Sequence, residues 1–226
     1  MARVLVVDDD PTVAGVVVGY LERAGHQPLH VADGRKALDT IAADPPDLVV
    51  LDLMLPEVGG LEVCRQVRAG HQHLPIIMLT ALGEADERIA GLELGADDYV
   101  SKPFSPRELI LRIESVLRRA GETPPSSGVL GAGSVTVDTA ARIVTRDGAE
   151  LSLTTREFDL LAYLMAHPGR AFSRAELMQH VWGWTFGDQS TVTVHVRRLR
   201  EKIEDNPTEP SLIKTVWGIG YRLEAP

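Results

Sequence analysis

A single cysteine, Cys64, stands in the whole chain of 226 residues. One thiol cannot form an intrachain disulfide, which removes the stapled secreted scaffolds and suits a reducing compartment. Cys64 is expected to pack as a small apolar side chain on a helix. Long apolar runs are also missing. None approaches the roughly 18 residues of a helical membrane span, so no membrane partner is expected. The N-terminus opens straight into a strand pattern, without a secretory leader, and a cytoplasmic location is expected. Positive charge is short as well. The formal net charge of −9 argues against indiscriminate polyanion binding and confines any nucleic-acid contact to a local patch. The deficit is uneven: residues 1–120 hold 12 basic against 19 acidic side chains, residues 121–226 hold 11 against 13. No internal repeat is found.

What is present supports two domains of ordinary size, with 44% hydrophobic residues to build their cores. Residues 1–120 alternate short apolar runs near 3–7, 28–32, 47–51, 75–79 and 98–101 with helical patterns near 11–24, 33–43, 60–70, 84–94 and 105–119. Alternation at this spacing predicts βαβ units and a doubly wound five-stranded parallel sheet. Runs such as 47–51 are apolar without alternation, as strands buried on both faces are. Residues 121–128, rich in Gly, Pro and Ser, read as a linker. Residues 129–226 change texture. Short strands fill 129–153, helices are expected near 154–167, 173–182 and 190–205, and a hairpin closes the chain at 212–224. That order describes an α+β winged helix-turn-helix domain.

Four apolar runs of the first half end on residues suited to phosphoryl chemistry: Asp8-Asp9, Asp52, Thr80 and Lys102. In an open parallel sheet, ligands bind outside the carboxyl ends of the strands. Three carboxylates in one cleft repel and call for a cation, and an oxygen-rich site favours Mg²⁺. A carboxylate can act as nucleophile and become an acyl phosphate, while transfer itself rests on positioning and electrostatics. Lys102 offers a compact point charge and Thr80 a hydroxyl for phosphate oxygens. Taken singly, each residue has a plainer reading: Asp10-Pro11, for example, looks like a helix cap followed by Pro at the first helical position. The argument rests on their joint occurrence at four strand ends.

Residues 3–119 resemble the receiver domain of two-component response regulators. The match runs through Val6-Val7-Asp8-Asp9, Leu51-Asp52-Leu53-Met54-Leu55-Pro56, Leu79-Thr80-Ala81 and Gly95-Ala96-Asp97-Asp98-Tyr99-Val100-Ser101-Lys102-Pro103-Phe104. The resemblance implies Asp52 as phosphoacceptor. It makes Asp9 the main metal ligand, assisted by Asp8 and the backbone carbonyl of Met54. Thr80 and Lys102 would contact phosphate, Ala81 would leave room for its entry, and Tyr99 would be the aromatic switch partner of Thr80. Gly59 departs from relatives that often carry Asp there. Apolar Met54 and Leu82 flank the site where relatives can place water-orienting polar groups, so slow hydrolysis of the acyl phosphate is expected.

The resemblance extends to the OmpR/PhoB subfamily. There, equivalents of Arg88–Glu108, Asp97–Arg112 and Asp98–Arg119 pair across a two-fold axis around Ile89, Leu92 and Ile110, which implies a homodimer on phosphorylation. As a set of solvated ion pairs alone, the face would contribute ~0–1 kcal/mol per pair.

Residues 130–224 resemble the winged-helix effector of the same subfamily, through Leu153-Thr-Thr-Arg-Glu-Phe-Asp-Leu-Leu161 and Thr215-Val-Trp-Gly-Ile-Gly-Tyr-Arg222. In the helix expected over 190–205, Val192, Val196, Leu199 and Ile203 form one apolar stripe. Val194, Arg197, Arg198 and Glu201 are then expected on the opposite face. Arg198 and Val194 are assigned to bases, and Thr191, His195, Arg197 and Arg200 to phosphates. Trp217 takes the place of a wing Arg that enters the minor groove in several relatives. It is expected on the sugar–phosphate backbone or the domain core. The loop 183–189 can contact RNA polymerase in the family, with Trp184 and Phe186 as exposed anchors.

The leading reading is a DNA-binding transcriptional regulator phosphorylated on Asp52 by a sensor histidine kinase, with promoter DNA and RNA polymerase as further partners. A regulator that binds DNA without phosphorylation is the alternative. A Mg²⁺-dependent phosphohydrolase is disfavoured because Val7-Asp8-Asp9-Asp10-Pro11 lacks the Asp-x-Asp-Gly motif of such enzymes.

Overall fold

The computed structural model describes residues 1–81, 85–121, 128–185 and 188–224, without the side chains of residues 81, 85–88 and 119–121. The chain divides into two compact units, Met1–Ala120 and Gly121–Pro226.

The first unit alternates β1 (Arg3–Val7), α1 (Pro11–Arg23), β2 (Gln27–Val31), α2 (Gly34–Ala43), β3 (Leu48–Asp52), α3 (Gly60–Gly70), β4 (Ile76–Ala81), α4 (Ala85–Leu94), β5 (Asp98–Lys102) and α5 (Pro106–Gly121). The strands form one parallel sheet in the order β2-β1-β3-β4-β5. The expected five-stranded doubly wound sheet is therefore present. Val4–Val7 on β1 and Leu48–Leu51 on β3 are fully buried, because helices cover both faces and leave no solvent side to alternate toward. The strand order reverses between β1 and β3, and a crevice opens at such a reversal outside the carboxyl ends.

Local chemistry sets the helix starts around that crevice. The Asp10 carboxylate accepts from the Thr12 and Val13 N–H groups, with Pro11 in the first turn of α1. The Asp33 side chain caps α2 through the Lys36 N–H. Gly59 caps α3 without any side-chain hydrogen bond, which is the local cost of lacking Asp there. Gly60 is demanded by space. A Cβ on it would lie 2.1 Å from the Asp52 carbonyl oxygen, so glycine alone lets α3 start against the end of β3. Gly60→Ala should destabilise the first unit by about 1–3 kcal/mol, the usual cost of overpacking. It should also displace Asp52. Urea unfolding checks the first effect, and a wild-type midpoint would refute it.

The second unit opens with the antiparallel sheet β6 (Val129–Ala132), β7 (Val135–Asp138), β8 (Ile143–Arg146) and β9 (Ala149–Leu151). Next come α6 (Thr155–Met165), β10 (Ala171–Ser173), α7 (Arg174–Leu177), a π-helical turn over Met178–Trp182, and α8 (Ser190–Ile203). The hairpin of β11 (Ile213–Val216) and β12 (Gly220–Leu223) closes the unit, in a sheet ordered β10-β12-β11. Its core gathers Leu161, Phe172, Trp182, Leu199 and Tyr221. This is the expected winged helix. Three details differ from the sequence reading. Strand β10 was not expected. The helix expected over 173–182 is α-helical only to Leu177. Helix α5 runs to Gly121, inside the expected linker, and residues 122–127 lie outside the described residues. Cys64 is buried on α3, as expected.

Candidate functional site

The parallel register brings the four strand ends together. Val7 lies beside Leu51, Asp52 beside Leu79, Thr80 beside Ser101 and Ala81 beside Lys102. Ligand oxygens of Asp8, Asp9 and Asp52 consequently lie within 4.8 Å of one another. Asp8 is fully buried and Asp52 nearly so, while Asp9 is exposed at the rim. The Lys102 ammonium spans the two buried carboxylates, 2.8 Å from Asp8 Oδ2 and 3.0 Å from Asp52 Oδ2. The second Asp8 oxygen accepts from the Asp10 N–H at 2.9 Å, which ties the acid to the cap of α1.

Electrostatics follow from this packing. Burial pushes the Asp52 carboxyl above its ordinary range and the neighbouring Asp8 charge adds to that, while Lys102 and the Met54 N–H oppose it. Burial works against the Lys102 charge, but hydrogen bonds to Asp8 and Asp52 outweigh it and hold its pKa above the ordinary lysine value. A cleft of three carboxylates opposed by one ammonium has room in its charge balance for a divalent cation. An all-oxygen donor set of two buried acids and one exposed acid suits Mg²⁺, which retains water ligands.

Other residues expected here are placed as follows. Thr80 is buried at the end of β4, and Tyr99 is also buried, with 7% of its surface accessible, so its ring is already inside. The Met54 side chain points to solvent. The Ala81 side chain and all of Leu82 lie outside the described residues.

The charged face of α4, β5 and α5 differs from the sequence reading. Asp97 is buried and accepts from Arg68 Nη2 and the Ile76 N–H, both at 2.9 Å. Arg112 pairs with Asp98 at 2.6 Å and with Glu108 at 2.8 Å in the same chain. Leu92 is fully buried rather than outward, which leaves Ile89 and Ile110 half-buried there. The cause is that β5 begins in the core, so neither Asp97 nor Asp98 has a solvent side. The side chains of Arg88 and Arg119 lie outside the described residues.

Helix α8 is buried over more of its circumference than expected. Thr191, Val194, His195 and Arg198 are buried along with the apolar stripe. His195 meets the Trp182 ring edge-on with centroids 5.1 Å apart, and Arg198 pairs with the buried Glu157 of α6 at 2.7 Å. Arg198 and Val194 thus serve the core and do not face outward as base contacts would. The solvent-facing line is Gln189, Thr193, Arg197 and Glu201. Thr193 was missed. Its signal was the four-residue spacing to Arg197. Arg174 of α7 donates to the Thr193 hydroxyl at 3.1 Å and fixes it. Arg200 is half-buried and donates to the Ile213 carbonyl, tying α8 to β11. Trp217 is exposed at the hairpin turn. Trp184 is buried, not an exposed anchor, and Phe186 lies outside the described residues.

Comparison with known proteins agrees with both halves. Residues 4–114 match the response regulator receiver domain, and residues 148–223 match the family described as transcriptional regulatory protein, C terminal. A parallel α/β unit with an acidic strand-end cleft, followed by a winged helix, defines a response regulator with a DNA-binding output domain. The chain belongs to the OmpR/PhoB subfamily of two-component response regulators. It is 44% identical to the sensory transduction protein RegX3 of Mycolicibacterium smegmatis, over 99% of this chain and all of that one. It is 42% identical to the alkaline phosphatase synthesis transcriptional regulatory protein PhoP of Bacillus subtilis, over 99% and 97%. Among solved structures, DrrB of Thermotoga maritima, an OmpR/PhoB homologue, aligns over 99% of both chains at 31% identity with a TM-score of 0.54. Transcription regulation through DNA binding is accordingly the work of this class. Among the described residues, no helix is long and apolar enough to cross a membrane.

Proposed function

We propose that this protein is a cytoplasmic transcriptional switch in which a sensor histidine kinase transfers a phosphoryl group to Asp52. The observation that carries this reading is the meeting of Asp8, Asp9 and Asp52 within 4.8 Å, with Lys102 spanning the two buried acids. A bound Mg²⁺, held by Asp8, Asp9, Asp52 and the Met54 carbonyl, would neutralise the cleft and the incoming phosphoryl oxygens. Asp52 supplies the nucleophilic oxygen, Lys102 draws a phosphate oxygen by charge, and Thr80 offers its hydroxyl to another. Phosphate on Asp52 takes Lys102 away from Asp8 and pulls on Thr80, and the buried Tyr99 ring holds the space behind it. A local charge change thereby biases the α4–β5–α5 face. Glu108, Arg112, Ile89 and Ile110 remain its candidates for pairing with a second copy, and dimerisation raises the local concentration of two DNA-binding units on a promoter.

In the second unit, Arg197 takes phosphate contact and Thr193 faces the groove beside it. RNA polymerase is proposed to meet the loop over 183–189. Arg197→Ala should weaken binding about uniformly across sequences and lower the salt slope of log affinity by about 1. Filter binding over a salt series checks this, and an unchanged slope would move phosphate contact elsewhere.

The reading as a whole is tested by intact mass after acetyl phosphate and Mg²⁺. Wild type should gain one phosphoryl group and Asp52→Asn none. An adduct on both would move the acceptor away from Asp52. An adduct on wild type that leaves DNA affinity unchanged would favour the phosphorylation-independent regulator.

A further inference from the structure

Asp8 and Asp9 are neighbours in sequence, yet both bring a ligand oxygen within 4.8 Å of Asp52 and of each other. Successive side chains on a strand point to opposite faces. The backbone therefore has to change direction between the two acids, directly after β1 ends at Val7. One peptide group joins them, and its plane sets the angle between their side chains. The oxygen of that peptide is the Asp8 carbonyl. Whatever holds this oxygen holds the two carboxylates in a fixed relation.

The ladder between β1 and β2 stops at the same point. The Asp8 N–H donates to the Val31 carbonyl at 3.3 Å, and β2 goes no further. Asp33 already serves as the cap of α2. The donor to the Asp8 carbonyl is a side chain: His30 Nε2 lies 2.9 Å from that oxygen. A carbonyl only accepts, so Nε2 carries the proton. Register explains the reach. His30 stands beside Val6 on the neighbouring strand, and Asp8 is two residues beyond Val6 on the same strand direction. A ring spans that diagonal. The carboxylate of Asp8 is held separately, by the Asp10 N–H at 2.9 Å and the Lys102 ammonium at 2.8 Å.

We infer that His30 is a positioning residue for the cation site, its imidazole fixing the Asp8–Asp9 peptide so that both carboxylates meet one divalent ion. This deepens the reading of the cleft as a Mg²⁺ site and rests on it. Burial separates positioning from mere bracing of an edge strand. Asp8 is fully buried, whereas His30 is exposed. Water can reach the carbonyl once the ring is removed and satisfy it as an acceptor, so folding loses little. Water does not fix a direction, however, so the ligands lose their alignment. Mg²⁺ demands near-ideal octahedral geometry, while Ca²⁺ accepts a flexible shell. Loss of the ring should therefore weigh more on Mg²⁺ than on Ca²⁺.

The test uses full-length protein and Mn²⁺, an ion of the same oxygen preference. Free Mn²⁺ is counted by electron paramagnetic resonance, and Mg²⁺ and Ca²⁺ are measured as competitors. His30→Ala should bind Mg²⁺ roughly tenfold more weakly, in the range of outer-shell changes at metal sites. Its Ca²⁺ affinity should fall less, and its melting temperature in EDTA should stay near wild type. His30→Gln keeps an N–H donor and should recover most of the Mg²⁺ affinity, whereas His30→Leu should not. Wild-type Mg²⁺ affinity in His30→Ala, equal loss of both ions, or Leu performing as well as Gln overturns the inference and leaves the Mg²⁺ site standing. If His30→Ala does not fold, the comparison of Gln with Leu decides alone. Wild type that binds none of the three ions, or binds them as well after Asp9→Asn, brings down the cation reading and the inference together.

Discussion

Glu157→Gln should destabilise the second unit by about 3–5 kcal/mol, the usual cost of leaving a buried ion pair without one of its charges. Glu157 is fully buried in the first turn of α6. One carboxylate oxygen pairs with Arg198 and the other with Lys202, each at 2.7 Å. The latter oxygen also accepts from the Thr154 N–H at 2.8 Å, so the same side chain completes a capping box. Burial opposes its charge, but Arg198 and Lys202 outweigh burial and hold the carboxyl below its ordinary range. A depressed folded pKa gives stability that is present above the unfolded value, about 4.3. That contribution is lost as pH falls through the folded value. Acid should therefore weaken wild type progressively below about pH 4.3, and Glu157→Gln should lack that part of the pH dependence. Denaturant melts from pH 7 to 3 check both points. A variant within 1 kcal/mol of wild type at pH 7 would show that the triad contributes little.

The same residue explains where sequence reasoning stopped. Helix α8 is legible as amphipathic, and Val192, Val196, Leu199 and Ile203 do face the core. One stripe implies one buried side, however, and α8 is covered on its flanks as well. Arg198 reads as a basic surface residue until its partner is known, and that partner lies 41 positions earlier in a helix whose own pattern gives no sign of needing a cation. His195 is hidden in the same way by the Trp182 ring. By contrast, the strand-end cleft was legible. It depends only on which residues follow each apolar run, and parallel pairing brings those ends together whatever the helices do. Asp97 and Asp98 mark the boundary between the two cases. They precede an apolar run just as Asp8 follows one, but at the other end of the sheet, where Arg68 and Arg112 close over them. Acidic residues at a strand start read as surface, and only tertiary packing shows them to be internal.

Lys102→Met should separate two roles that one ammonium plays in the first unit. In the absence of metal, Lys102 is the cation that bridges Asp8 and Asp52, so its loss leaves two buried carboxylates facing each other. The Lys102 side chain is itself about a quarter exposed. Solvent screening reduces the cost below that of a fully buried pair, to about 1–3 kcal/mol. The melting temperature of the first unit should fall in EDTA and recover as Mg²⁺ is added, since a ligand that binds only the folded state stabilises it by mass action. The variant should also bind Mg²⁺ more tightly than wild type, because no resident positive charge opposes the ion. Phosphorylation separates the roles. Asp52 keeps its nucleophilic oxygen, so the adduct should still form, yet without Lys102 nothing draws the phosphate oxygens across the cleft toward β5. DNA affinity should then no longer respond to the adduct. Titration calorimetry, melts with and without Mg²⁺, and DNA binding after acetyl phosphate give three independent readings. If Mg²⁺ fails to restore stability, Lys102 is not standing in for a cation. If the variant still switches, the signal leaves Asp52 by a route that does not run through β5.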